Sequence, residues 1–116
     1  MPSKLDATII LGGTPSHPTV RVCPDPLEAE WGQQIRWTIQ DPGHTGAEVW
    51  LTGFKPKGSS TKRDPLVGPE QSRRTTGGSQ IRDVVKRGAE KGLYDYEIWL
   101  NGQLAADPDL MVREAP

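Results

Sequence analysis

The sequence of 116 residues has few of the residue types on which metal, redox and disulfide sites depend. It contains one cysteine, Cys23, and two histidines, which excludes an intrachain disulfide and a Cys-x-x-Cys motif. The apolar run around Ile9 and Ile10 is too short for a signal-peptide core or a membrane span. The formal net charge is −1, so the strongly basic footprint of most nucleic-acid-binding domains is missing. We therefore predict a cytoplasmic protein without a cofactor, a nucleic-acid partner or a membrane partner.

Turn-forming residues and tryptophans are what the sequence has in abundance. Its 13 glycines and 11 prolines suit short strands joined by turns better than long helices. Four tryptophans and several valine- and isoleucine-rich stretches provide anchors for a hydrophobic core. A chain of this length has room for one such core, so we predict a single domain over residues 1–116.

Alternation of apolar and polar residues, interrupted by turn signals, predicts about seven short strands. They cover residues 7–11, 19–23, 34–39, 47–54, 79–86, 93–100 and 110–113. The alternation over 34–39 places Trp37 in the core, and Asn101-Gly102 is a hairpin turn signal. Residues 26–31 have a helix-favouring composition that allows one or two helical turns. The pattern as a whole predicts an all-β, antiparallel Greek-key sandwich.

Residues 55–79 differ from the rest of the chain because they are basic and have almost no apolar side chains. A connection of this length is uncommon within a compact domain, and it predicts a long flexible loop. Its basic residues are Lys55, Lys57, Lys62, Arg63, Arg73 and Arg74, against the two carboxylates Asp64 and Glu70. These side chains are a candidate site for phosphates or for an acidic protein face. The alternative is a solvated loop without a ligand.

Two segments resemble strands of the cupredoxin family. Residues 34–44, Gln-Ile-Arg-Trp-Thr-Ile-Gln-Asp-Pro-Gly-His, are similar to the family's strand before its first copper-ligating histidine, here His44. Residues 91–98, Lys-Gly-Leu-Tyr-Asp-Tyr-Glu-Ile, are similar to the Gly-x-Tyr-x-Tyr strand that leads into the copper-ligand loop. Residues 107–112 fit the closing strand. The resemblance implies a cupredoxin-like sandwich.

The resemblance ends at the copper ligands. A blue-copper site needs a cysteine thiolate and two histidines, and the family carries the cysteine and the second histidine just after the tyrosine-rich strand. This chain has Trp99, Leu100 and Asn101 at that place. Cys23 lies on an early strand, where we predict a partly buried, unreactive thiol. We therefore expect no metal site, with His44 as the one candidate ligand.

Trp50 and Trp99 are the clearest candidates for a partner surface. Each lies on the strand face opposite its aliphatic neighbours, so both indoles are expected on an outer sheet surface. Asp95 and Glu97 share the face of Trp99. Exposed tryptophan is enriched in binding hot spots, and tryptophan beside carboxylates also stacks on sugars. The alternative is that the basic loop folds over one of the two indoles.

The spacing of hydroxyl, histidine and acidic residues shows no nucleophile–base pair, so we expect no enzyme activity. The favoured hypothesis is a non-catalytic protein-interaction module with a copper-free cupredoxin-like fold, which binds a protein partner or forms a homodimer. Its contact residues are expected to be Trp50, Trp99, Glu97 and Asp95. The alternatives are a metal-binding or electron-transfer protein that uses His44, and a carbohydrate-binding module that uses exposed tryptophan.

Overall fold

The computed structural model describes residues 4–76 and 79–114, and these ranges form ten strands in two sheets. The strands are β1 (Leu5–Gly13), β2 (Pro18–Cys23), β3 (Leu27–Glu30), β4 (Gln34–Gln40), β5 (Glu48–Pro56), β6 (Arg74–Thr76), β7 (Gln80–Val84), β8 (Gly92–Leu100), β9 (Gln103–Ala106) and β10 (Asp109–Arg113). The predicted all-β sandwich is confirmed, with three short strands, β3, β6 and β9, that the alternation pattern missed. The described residues contain no helix long and apolar enough to cross a membrane.

Both sheets are mixed, because two strand pairs are parallel within the predicted, mainly antiparallel sandwich. The first sheet has the order β2-β1-β4-β7, and β1 runs parallel to β4. The second has the order β3-β10-β8-β5-β6, with β9 also paired to β8, and β3 runs parallel to β10. Alternation reveals which face of a strand is buried, but it carries no information about the direction of the neighbouring strand.

The segment with a helix-favouring composition is strand β3, so the expectation of helical turns is wrong. Leu27 and Ala29 are fully buried, whereas Glu28 between them is exposed. Burial of alternate side chains against the sheet outweighs a helix preference of a few tenths of a kcal/mol per residue.

The core between the sheets is centred on three aromatic rings from different strands. Trp37 of β4 meets Tyr96 of β8 edge to face, with ring centroids 6.1 Å apart. Phe54 of β5 stacks on the other side of Tyr96 at 4.9 Å. All three side chains are buried, which confirms Trp37 as the core indole. Burial also raises the pKa of the Tyr96 hydroxyl, which accepts a hydrogen bond from Trp37 Nε1 at 3.4 Å.

The predicted flexible loop over 55–79 is, in its described part, packed against the sandwich. Lys55 and Pro56 belong to β5, and residues 74–76 form β6. Between them, Leu66 is buried and forms a bridge with Val85. Arg73 is 0% exposed. The expectation of one flexible loop is therefore wrong for residues 55–76, while Gly77 and Gly78 lie outside the described residues.

Candidate functional site: a tryptophan row on the outer sheet face

Four side chains from four adjacent strands lie in one line across the outer face of the second sheet. Trp50 of β5 is directly opposite Arg74 of β6 on one side and Trp99 of β8 on the other. Trp99 is in turn opposite Leu104 of β9. Directly opposed residues in antiparallel strands project from the same face and touch. We call Arg74, Trp50, Trp99 and Leu104 the tryptophan row.

The alternation in β5 and β8 explains why the row faces outward. Val49, Leu51, Ile98 and Leu100 are buried on the core side, so the residues between them must point away from it. Trp50 and Trp99 accordingly lie on the outer face, but both are half-buried, whereas the sequence predicted exposed indoles. The positive φ of Gly53 (70°) belongs to an irregularity in β5, and a Cβ there would lie 2.8 Å from Glu97 Oε1.

One indole of the row, Trp50, is partly covered by a residue of the predicted basic loop, which was the alternative expected from the sequence, while the Leu104 end is open. The Arg74 guanidinium lies 3.9 Å from the centroid of Trp50, a cation–π contact. Trp99 Nε1 donates to Glu97 Oε1 at 3.1 Å, whereas Trp50 Nε1 is buried and has no hydrogen-bond partner within the described residues. Leu104 is 54% exposed. The row therefore has an exposed apolar residue, Leu104, at one end and a buried N–H group at Trp50 that lacks a hydrogen-bond partner.

Acidic residues lie on the same sheet face as the tryptophan row, on β8 before Trp99 and at the start of β10. Asp95 of β8 is opposite Asp109 of β10, and Asp107 precedes β10. Burial, followed by repulsion from Asp95 and Glu97, raises the pKa of Asp107, and Lys55 only partly offsets this. Asp95 Oδ1 is buried without a hydrogen-bond partner among residues 4–76 and 79–114. The carboxylates on this part of the sheet face therefore outnumber the basic side chains that lie beside them.

We expect the Asp107→Asn substitution to raise the melting temperature at pH 7. Because the folded-state pKa of Asp107 is raised, its ionised form disfavours folding at neutral pH, and this penalty disappears as the pH falls below the unfolded pKa of about 3.9. Melting curves of both proteins at pH 7 and at about pH 3 measure the difference. No gain at pH 7 would contradict the assignment.

Asp41→Asn is the control for Asp107→Asn, and it should change the melting temperature at pH 7 in the opposite direction. The backbone N–H groups of Thr45 and Gly46, with the Thr45 hydroxyl, donate to the Asp41 carboxylate and lower its pKa. A lowered folded-state pKa stabilises the protein above the unfolded pKa, and this contribution is lost as the pH falls through the folded value. Asp41→Asn should therefore lower the melting temperature at pH 7.

The six basic residues proposed as an anion site are dispersed by the fold. Arg73 is buried and Arg74 lies over Trp50, as described above. Lys57 bonds to Asp109 Oδ2 at 2.8 Å, and Arg63 bonds to Glu90 Oε2 at 2.5 Å. Lys55 is half-buried in β5 beside Asp95, and Lys62 is exposed. The proposal of one basic surface that includes Arg73 is therefore wrong, because this guanidinium cannot reach solvent.

The donor set does not fit a copper site. His44 is exposed at the turn after β4, with a φ of 52°. Cys23 is also exposed, not partly buried as predicted, and it lies on β2 in the first sheet. Residues 101–102, where the cupredoxin resemblance would place ligands, form the Asn-Gly turn between β8 and β9. Within the described ranges, no three His, Cys, Asp or Glu residues are grouped so that they could hold a metal.

Sequence reasoning identified Trp50 and Trp99 but missed the two ends of the row. Leu104 belongs to β9, whose existence was signalled by the Asn101-Gly102 turn. Arg74 was grouped with the basic loop because β6 has only three residues. Glu97 and Asp95 lie on the predicted face, with Glu97 bonded to Trp99 and Asp95 one position further along.

The likeness of this chain to known proteins is distant and is found among solved structures. No family model matches the chain, and no curated protein matches it. Among solved structures, the chain is similar to the crystal structure of a multi-copper oxidase from Pediococcus acidilactici, with 13% identity and a TM-score of 0.46. The match covers 98% of this chain and 29% of that chain. The chain therefore spans less than a third of that oxidase, and no property of the enzyme is carried over.

Proposed function

We propose that this chain is a non-catalytic protein-interaction module on a cupredoxin-like scaffold, and that the tryptophan row is its contact surface. The observation that carries the proposal is the 54% exposed Leu104 beside the half-buried Trp99 on an outer sheet face. Tryptophan and arginine are among the residue types that dominate binding energy at protein interfaces, and exposed apolar side chains beside them help to exclude water. The cytoplasmic location and the absence of a nucleic-acid partner remain predictions.

The two alternative functions have less support from the geometry. Sugar stacking needs an accessible indole face, and Arg74 lies over Trp50 at 3.9 Å. A metal site at His44 needs further ligands, and the described part of the chain groups no such set.

The partner that the charges favour is a second copy of the chain. Arg74, at the β6 end of the row, forms no ion pair within the described residues, and neither do Glu97 and Asp107 near the β9 end. A two-fold axis that lies in the interface and runs along the strands would place β6 of each copy over β9 of the other. Arg74 would then face the partner's acidic residues in both halves of the dimer, with the apolar residues between them.

Leu104→Ser and Trp99→Ala are expected to weaken this dimer by about tenfold or more in Kd, as truncations of hot-spot residues do. Sedimentation velocity from about 10 μM to about 1 mM measures the association. The matched control is Val67→Ser, because Val67 is 62% exposed but lies outside the row. A wild-type protein that stays monomeric over this range, or an equal effect of Val67→Ser, would contradict the proposal.

Charge reversal tests the arrangement of the two copies. Arg74→Glu and Asp107→Lys should each weaken self-association, because each places like charges together at both ends of the dimer. Mixing the two variants should restore it, since every facing pair in the mixed dimer is again of opposite charge. Two weakened variants that are not rescued by mixing would mean that Arg74 does not face Asp107 of the partner.

A further inference from the structure

Strand β2 is an open edge of the first sheet, whereas the edges at β3, β6 and β7 are protected. The edge of β7 is covered by the preceding segment, where Val67 N donates to Val84 O and Gly68 N to Asp83 Oδ1, both at 2.8 Å. Strand β3 is four residues long and carries two glutamates, and β6 is three residues long. Short length and charged side chains are common means of blocking edge pairing. Strand β2 is longer, with six residues, and its one charged side chain is Arg21.

The hydrogen-bond pattern of β2 shows which main-chain groups are unpaired. Thr14 and His17 exchange both of their backbone hydrogen bonds at the β1–β2 turn, at 3.3 and 3.1 Å. Bonded and non-bonded pairs alternate along an antiparallel ladder. The N–H and C=O groups of Val20 and Val22 therefore point away from β1, toward solvent, whereas those of Arg21 bond to Ile10.

A groove lies beside this edge, between β2 of the first sheet and β9 of the second. It has a volume of about 330 Å³, and its lining is mixed: polar side chains such as Ser16, Thr19 and Gln103 lie beside Val20 and Leu104. The side chains of Val20 and Val22 are half-buried on the groove side, and Arg21 is exposed on the opposite side. An added strand would therefore place alternate side chains beside Val20 and Val22 at the groove and in solvent next to Arg21.

Arg21 decides between the possible occupants. It forms no ion pair with any described residue. Strand β2 could instead pair with β2 of a second copy. In the register where Val20 lies opposite Val22 and their outward N–H and C=O groups form hydrogen bonds, the two Arg21 side chains would lie directly opposite each other. Like charges at opposed positions are unfavourable. An acidic side chain next to Arg21 is favourable instead.

We propose that β2 binds an extended segment of a partner protein that alternates apolar and acidic residues and adds as a further strand to the first sheet. Main-chain hydrogen bonds to Val20 and Val22 supply affinity, the half-buried side chains of these two valines select apolar side chains, and Arg21 selects acidic ones. This second site uses a different strand and a different kind of partner from the tryptophan row, with Leu104 as the residue that borders both.

The probe is a synthetic, end-capped eight-residue peptide of alternating valine and glutamate, titrated into the full chain and followed by backbone amide NMR shifts. We expect the largest shifts at Val20, Arg21 and Val22. The Val22→Pro variant removes an outward N–H without touching the bonds to β1, and it should raise the Kd at least about tenfold. Val22→Ala keeps the N–H and is the matched control, with an unchanged melting temperature required of both variants.

Three further outcomes decide the proposal. The peptide with lysine in place of glutamate should bind more weakly, and Arg21→Gln should reduce this difference. The Trp99→Ala variant should bind the glutamate peptide as the wild type does, so that failure of this site and failure of the tryptophan row are distinguishable. Equal binding by folded Val22→Pro and Val22→Ala, equal binding of both peptides, or no amide shifts at a peptide concentration of about 1 mM would overturn the proposal.

Discussion

Replacing Arg73 with methionine is expected to lower the free energy of unfolding by about 3–5 kcal/mol, the range found when one partner of a buried ion pair is removed. Arg73 Nε donates to Asp83 Oδ2 at 2.7 Å, and Nη2 donates to Asp64 Oδ2 at 2.7 Å and to the Gly68 carbonyl at 2.8 Å. The guanidinium also lies 5.0 Å from the Phe54 ring centroid. Without it, the Asp83 carboxylate remains buried and uncompensated.

Urea unfolding monitored by circular dichroism measures this loss, and Lys62→Met is its control. Lys62 lies in the same segment but is exposed, so its substitution should change stability by no more than about 0.5 kcal/mol. The double variant Arg73→Met/Asp83→Leu should lose less than the sum of the two single variants, because it leaves no unpaired charge. A loss of less than about 1 kcal/mol for Arg73→Met would show that this segment does not depend on the buried ion pairs.

Replacing Trp37 with alanine is expected to cost about 3–5 kcal/mol of stability, as for large aromatic residues in a close-packed core. Trp37 is fully buried, meets Tyr96 edge to face and donates its indole N–H to the Tyr96 hydroxyl. The substitution leaves both a cavity and a buried hydroxyl that has lost its donor.

Trp99→Ala provides the comparison for Trp37→Ala because it removes the same side chain from the outer face. Its indole is half-buried and contacts no core ring. We expect a loss of about 1 kcal/mol, the usual size for a point substitution outside the core. Equal losses for the two variants in urea unfolding would contradict the assignment of Trp37 to the core and Trp99 to the surface.

Period-two alternation was sufficient to assign the long strands and their faces. It predicted Trp37 inward and Trp50 and Trp99 outward, because a strand with one buried face must alternate. It missed β6 and β9, which have three and four residues and are only partly buried, too little for a pattern. Composition, in turn, assigned β3 to helical turns, since the burial of Leu27 and Ala29 depends on contacts with β10 that are distant in sequence.

Arg73 and Arg74 show why the basic segment was misread. The two are neighbours of the same charge, yet one is buried against Asp83 and the other stacks on Trp50. The partners come from β7 and β5, and only the fold brings them to the segment. The composition of residues 55–79 therefore indicated the charge of this segment, but it could not indicate which arginine side chain is exposed to a ligand.

The most direct test of the interaction surface is the concentration dependence of the four tryptophan indole N–H signals in nitrogen-15 NMR spectra. The account predicts that the Trp99 and Trp50 signals shift between about 20 μM and about 1 mM. The Trp37 signal, from the core, and the Trp31 signal, whose indole donates to the Ala89 carbonyl at 2.9 Å, should stay fixed. Four signals that do not move with concentration, or shifts confined to Trp31, would contradict self-association through the tryptophan row.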